Sequence, residues 1–168
     1  MQTMRLGTIM YVLATFIFIA IMTLAFSNKI RPSYTPRIAL LSTTVDGIRY
    51  VKLLKDPSGH YVGTGSINGY SGEFIVDTGA TDVAISEQMA KKSGVIAQSM
   101  VKIQTANGET KGWSALLDSI EIGGIVEHRV RATIVPSLRS MEVLLGMSFL
   151  ERLDFSQEKN TLTLKKRL

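Results

Sequence analysis

The residues best equipped for chemistry are Asp77, Thr78 and Gly79. They stand between two apolar runs, Phe74-Ile75-Val76 and Val83-Ala84-Ile85. The first run reads as a buried strand, and the second resumes an apolar path after the loop. A carboxylate at the end of a core strand is costly unless something pairs with it or uses it. One use is a turn, because Asp caps nearby backbone and Gly accepts a positive φ. The other is acid–base chemistry. Two carboxylates about 3 Å apart cannot both ionise, so they share one proton. One oxygen then takes a proton from water while the partner acid polarises a carbonyl, a combination suited to amide hydrolysis.

Only one Asp-Thr-Gly occurs, and no internal repeat supplies another. If Asp77 is half of such a pair, the other half is predicted to come from an identical chain across a two-fold axis. Asp82, just past the loop, reads either as the wall of a specificity pocket or as a solvated loop charge.

The elements that must hold this loop are short and β-like. Residues 48–54 form a strand closed by Asp56-Pro57-Ser58-Gly59, and residues 60–67 form a second. Asn68-Gly69 is a strong hairpin turn, returning the chain into the Asp77 arm. Ser86 is placed to cap a helix over residues 87–93, ended by Gly94. Residues 101–106 make a strand, Asn107-Gly108 turns it, and residues 109–120 return. Beyond Gly123-Gly124, residues 126–135 alternate as a strand that stops at Pro136. An apolar run, residues 141–145, reaches Gly146, residues 147–153 fit one or two helical turns, and residues 161–164 close the domain. The fold class is all-β with one or two short helices.

Upstream lies a different texture. Residues 6–26 (LGTIMYVLATFIFIAIMTLAF) carry no charge, and about 20 such residues suffice to cross a bilayer as a helix. A cleaved signal peptide has a shorter apolar region and a small-residue cleavage site, and no clear site follows Phe26. The predicted layout is therefore a tail at 1–5, a transmembrane anchor at 6–26, a linker at 27–45 and a folded domain at 46–168. The linker contains Asn28, Pro32, Ser33 and Pro36. Arg5 on one side against Lys29, Arg31 and Arg37 on the other leans towards a cytoplasmic domain. The absence of cysteine fits either redox compartment.

The net charge of +5 comes from scattered Lys and Arg with no nucleic-acid signature, so no nucleic-acid partner is expected. Basic residues beside a span more simply face anionic headgroups. His60 and His128 are far apart without a ligand cluster, so neither a metal nor another cofactor is expected. Gly63, Gly65 and Gly69 match no phosphate-binding fingerprint, and no GxSxG elbow exists. Trp113 reads as a packing anchor.

Asp77-Thr78-Gly79, the Asn107-Gly108 hairpin and the apolar-apolar-Gly step Leu144-Leu145-Gly146, taken in that order, resemble the retroviral-type (retropepsin-like) aspartic proteases. They look most like the membrane-anchored bacterial relatives, and the likeness covers roughly residues 60–164. The resemblance implies a small closed-barrel-like fold, preceded here by a single transmembrane helix. It implies a catalytic Asp77, with Thr78 bonding the loop to its twin and Gly79 letting backbone approach substrate. Ala80 would line the pocket, and a flap tipped by Thr105, Ala106, Asn107 and Gly108 would cover bound peptide. Leu144, Leu145 and Gly146 would pack behind the loop. The retroviral enzymes pair an Asp and an Arg where this chain has Thr81 and Met147. Both charges are missing together, as desolvation requires, since one kept alone would be buried and unpaired. The implied protein is a homodimeric endopeptidase in a bacterial inner membrane, with an extracytoplasmic domain and a protein substrate. A non-catalytic, membrane-tethered peptide-binding domain of the same fold is the alternative.

Overall fold

The computed structural model describes residues 13–19, 21–22, 41–105, 108–138 and 142–168. The chain divides into two compact units, Met1–Arg37 and Ile38–Leu168. In the first, residues 13–19 and 21–22 are helical. Most of the predicted span 6–26 lies outside the described residues, and among those described no helix is long and apolar enough to cross a membrane.

The second unit runs β1 (Leu41–Val45), β2 (Ile48–Leu54), β3 (Val62–Ile67), β4 (Tyr70–Val76), β5 (Val83–Ile85), α1 (Glu87–Ser93), β6 (Met100–Thr105), β7 (Gly108–Ile122), β8 (Ile125–Ile134), β9 (Glu142–Leu145), α2 (Met147–Leu150), β10 (Asp154–Glu158) and β11 (Thr161–Arg167). Strands β3-β4-β9-β5-β8-β7 lie side by side, and β7 returns to pair with β3 through Gly65 opposite Ile122 and Ile67 opposite Ile120. Six strands thus close on themselves. Closure leaves no open edge in the ring. Strand β6 is attached outside it, and among the described strands it pairs only with β7.

Alternation explains the inside of the ring. Ala115, Leu117, Ile120 and Ile122 of β7 and Val130, Ala132 and Ile134 of β8 are buried, with exposed or half-buried residues between them. Phe74, Val83, Ile85, Val143, Leu145, Phe149 and Leu150 complete one continuous core. The all-β fold with a closed barrel and few short helices agrees with the sequence.

The hairpin joining β3 to β4 turns at Asn68 (φ 49°) and Gly69 (φ 80°), both left-handed, as a two-residue hairpin favours. Asn68 also fastens the turn: its Nδ2 donates to the Ser93 carbonyl and its Oδ1 accepts from the Ser119 N–H. The helix α1 begins and ends where the sequence places it. The Ser86 hydroxyl accepts from the Met89 N–H, and Gly94 closes the helix in the left-handed region.

A second, antiparallel sheet has the order β1-β2-β11-β10. Val51, Leu53, Leu162 and Leu164 turn one of its faces into the core. Two of its strands depart from expectation. Residues 41–45, assigned to the linker, form β1, and residues 154–158 form β10. Every residue of both strands is exposed. They are held by ladder hydrogen bonds and leave no apolar pattern to read.

Candidate active site

Asp77 leaves β4 with its backbone still in the sheet. Its N–H donates to the Leu145 carbonyl at 3.1 Å, extending the parallel pairing of β4 with β9. The chain then turns. The Gly79 N–H donates to Asp77 Oδ1 at 2.9 Å, and the Ala80 N–H donates to the Asp77 carbonyl at 3.2 Å. The carboxylate is therefore aimed by its own loop, as an Asx-type turn allows. Asp77 is half-buried, while Thr78 and Gly79 are exposed at the tip.

The loop is clamped from behind by α2. The Met147 N–H donates to the Ala80 carbonyl at 2.8 Å and the Ser148 N–H to the Thr81 carbonyl at 2.9 Å. Gly146 makes the approach possible. A Cβ there would sit 2.6 Å from the Asp82 carbonyl carbon and 2.8 Å from the Ala80 oxygen. Behind it, the buried Ser148 hydroxyl donates to the Arg131 carbonyl at 2.8 Å and accepts from the Val83 N–H at 3.0 Å. One side chain thus joins α2, β8 and β5. Nothing in the sequence singles Ser148 out, because its partners come from distant strands.

A cleft of about 970 Å³ opens over the loop. Asp77, Gly79, Ala80, Thr81, Asp82 and Ala84 line one side, and Val101, Lys102, Ile103 and Gln104 of β6 line the other. Leu138 and Leu144 contribute apolar surface. The expected flap hairpin is seen at its two arms, with Thr105 opposite Gly108. Ala106 and Asn107 lie outside the described residues. Of the three residues expected behind the loop, Leu145 and Gly146 are buried there. Leu144 is half-buried and lines the cleft, because alternation along β9 points it away from the core. Trp113 packs against the core and is absent from the described cleft lining.

Asp82 is neither a bare loop charge nor remote from the cleft. It lines the cleft, and its Oδ1 accepts from Arg131 Nε at 3.2 Å. His60 stands on an exposed turn and His128 on the outside of β8, with its Nδ1 3.0 Å from the Asp118 carbonyl. Among the described residues no group of three or more His, Cys, Asp or Glu side chains is placed to hold a metal ion.

Residues 63–152, more than half the chain and inclusive of the whole loop and clamp, match the family described as "gag-polyprotein putative aspartyl protease". The chain belongs to this aspartic protease family. Two curated bacterial relatives are each 32% identical to it. One is described as an uncharacterized protein in the cobV 5' region of Sinorhizobium sp, aligned over 135 residues, 79% of this chain and 58% of the relative. The other is an uncharacterized protein of Rickettsia prowazekii (strain Madrid E), aligned over 104 residues, 60% of this chain and 44% of the relative. The chain thus spans about half the length of the curated relatives it matches. Among solved structures, a retropepsin-like aspartic protease from Rickettsia conorii superposes with a TM-score of 0.60 at 29% identity, covering 74% of this chain and 95% of that one. The aspartic protease family and the retropepsin-like barrel therefore agree with each other.

Proposed function

We propose that this family member is a membrane-anchored aspartic endopeptidase whose centre forms from Asp77 of two identical chains. The observation that carries this reading is a cleft carboxylate with no ion pair among the described residues. Asp77 stands half-exposed in the cleft with its orientation fixed by the Gly79 N–H. The other carboxylate lining the described cleft, Asp82, is tied to Arg131. A two-carboxylate reaction therefore needs Asp77 from a second copy.

In the assembled pair, one ionised Asp77 removes a proton from water, and the water oxygen bonds to the scissile carbonyl carbon. The protonated Asp77 opposite gives its proton to the carbonyl oxygen. Collapse of the tetrahedral species breaks the C–N bond as a proton passes to the leaving nitrogen. Thr78 secures one loop to the other, Gly79 admits the substrate backbone, and Ala80 lines the neighbouring pocket. The β6–β7 hairpin, including Thr105, Ala106, Asn107 and Gly108, covers an extended segment of the substrate protein. Leu145 and Gly146 support the loop. No cofactor is needed. Residues 6–26 anchor the enzyme in a bacterial inner membrane, residues 27–40 form the tether, and the protease domain is extracytoplasmic.

The test uses the full chain in detergent, with and without Asp77→Asn, on a peptide library with molecular mass measured in parallel. The substitution keeps size and most hydrogen bonding and removes the titrating group. Cleavage is expected to fall by at least ~100-fold, the usual scale of a lost general acid–base group. Cleavage that survives in the variant, or that persists in a strictly monomeric wild-type sample, refutes the proposal. Retained peptide affinity with no cleavage in either form favours the binding-domain alternative.

A further inference from the structure

The four-stranded sheet has a second face. Val51 and Leu53 are fully buried, so alternation turns Ile48, Tyr50, Lys52 and Leu54 of β2 the other way. Register carries that face across the sheet. Leu41, Thr43 and Val45 lie opposite Lys52, Tyr50 and Ile48, and Thr161, Thr163, Lys165 and Arg167 lie opposite Leu54, Lys52, Tyr50 and Ile48. Leu41, Val45 and Leu54 are 61%, 54% and 48% exposed. Lys165 Nζ lies 5.9 Å from the Tyr50 ring centre. The Leu168 N–H donates to the Gly47 carbonyl, which brings an exposed C-terminal leucine beside the β1–β2 turn. Across β1, β2 and β11 this face has three cations, Lys52, Lys165 and Arg167, and no acid. Its acids, Asp154 and Glu158, are confined to the far strand β10, and Asp46 sits in the turn.

We propose that the β1–β2–β11 part of this face rests on an anionic lipid surface. Aliphatic side chains, one tyrosine and a fringe of lysine and arginine are the chemistry of an interfacial membrane contact. The position in the chain points the same way. Only residues 27–40 separate the predicted span from β1, and they add Lys29, Arg31 and Arg37. A random chain of that length has an r.m.s. end-to-end distance of about 20 Å, short enough for β1 to reach the headgroups of a bilayer holding the span. This inference rests on the anchored reading. It adds to it a bound orientation, with the sheet against lipid.

The chain has no cysteine, so a single introduced thiol reports one place. Thr43→Cys puts an environment-sensitive fluorophore on the proposed face, and Thr64→Cys on exposed β3 serves as the control. The full chain is reconstituted in vesicles of phosphatidylcholine with phosphatidylglycerol, or of phosphatidylcholine alone, containing a trace of quencher lipid. With the anionic lipid, quenching at position 43 is expected to exceed that at 64 by about twofold or more, and to fall towards the control without it or after Lys52→Glu, Lys165→Glu and Arg167→Glu together. Equal quenching at 43 and 64 in chains that co-float with vesicles overturns the docking and leaves the anchor standing. Chains that fail to float overturn both. Self-quenching at position 43 that follows protein density and ignores lipid charge also overturns the proposal, in favour of a second copy on this face.

Discussion

Gly146→Ala tests the clamp behind the catalytic loop most directly. The new methyl would sit 2.6 Å from the Asp82 carbonyl carbon and 2.8 Å from the Ala80 oxygen, both of them backbone. No side chain can rotate aside, so either the loop or α2 must move. Forcing one methyl into a packed site costs roughly 1–3 kcal/mol. Movement also stretches the bonds from Met147 to Ala80 and from Ser148 to Thr81, at about 1 kcal/mol each. The sum, about 3–5 kcal/mol, corresponds to a fall in Tm of roughly 10–20 °C for a domain of this size. Circular-dichroism melts on the full chain and on Gly79→Ala measure the contrast. At Gly79 an added methyl meets only Asp77 Oδ1, at 3.2 Å. That variant is expected to melt within a few degrees of the parent, on the order of 1 kcal/mol or less, yet to lose cleavage because the methyl projects where substrate backbone lies. A Gly146→Ala protein melting within ~3 °C of the parent refutes the clamp.

Three further substitutions probe neighbouring supports. Ser148→Ala leaves the Val83 N–H and the Arg131 carbonyl without their buried partner. A loss of about 1–3 kcal/mol is expected by urea denaturation. Ser86→Ala removes the cap on α1 and is expected to cost about 1 kcal/mol by the same measurement. Arg131→Ala breaks an ion pair that is 63% exposed on the arginine side. Stability is expected to change by less than about 1 kcal/mol, with the difference shrinking further in high salt.

Much of the site could be read from residue order because its signals are local. An Asn-Gly turn, a serine cap and a glycine stop each act within a few residues, and Asn68-Gly69 and Ser86 to Gly94 fold as such rules direct. The apolar runs around Asp77 and before Gly146 form strands that send Phe74, Val83, Ile85, Val143 and Leu145 into the core, while Ile75, Val76 and Ala84 are only half-buried. Strands β1 and β10 are not legible in the sequence because LSTTV and DFSQE bury nothing; pairing partners from elsewhere in the chain define them. Ser148 and the Asp82–Arg131 pair were hidden for a related reason. Their partners lie 17 to 65 residues away in sequence, a separation no short window spans. A run of two leucines does not reveal which one alternation turns inward, and it is Leu145 that is buried while Leu144 is half-buried.

The attachment of β6 outside the ring has a mechanical corollary. From Gly108 to Gly112, β7 pairs with β6, and its partnership with β8 starts at Trp113 opposite Ile134. From Gly112 back to Gly108, β7 keeps β6 as its ladder partner, and a two-stranded ribbon is only marginally stable by itself. It can swing without breaking any ladder bond of the barrel. Admission of a polypeptide and endurance of the scaffold are thus separate properties, and a longer or shorter ribbon could alter the first while leaving the second untouched.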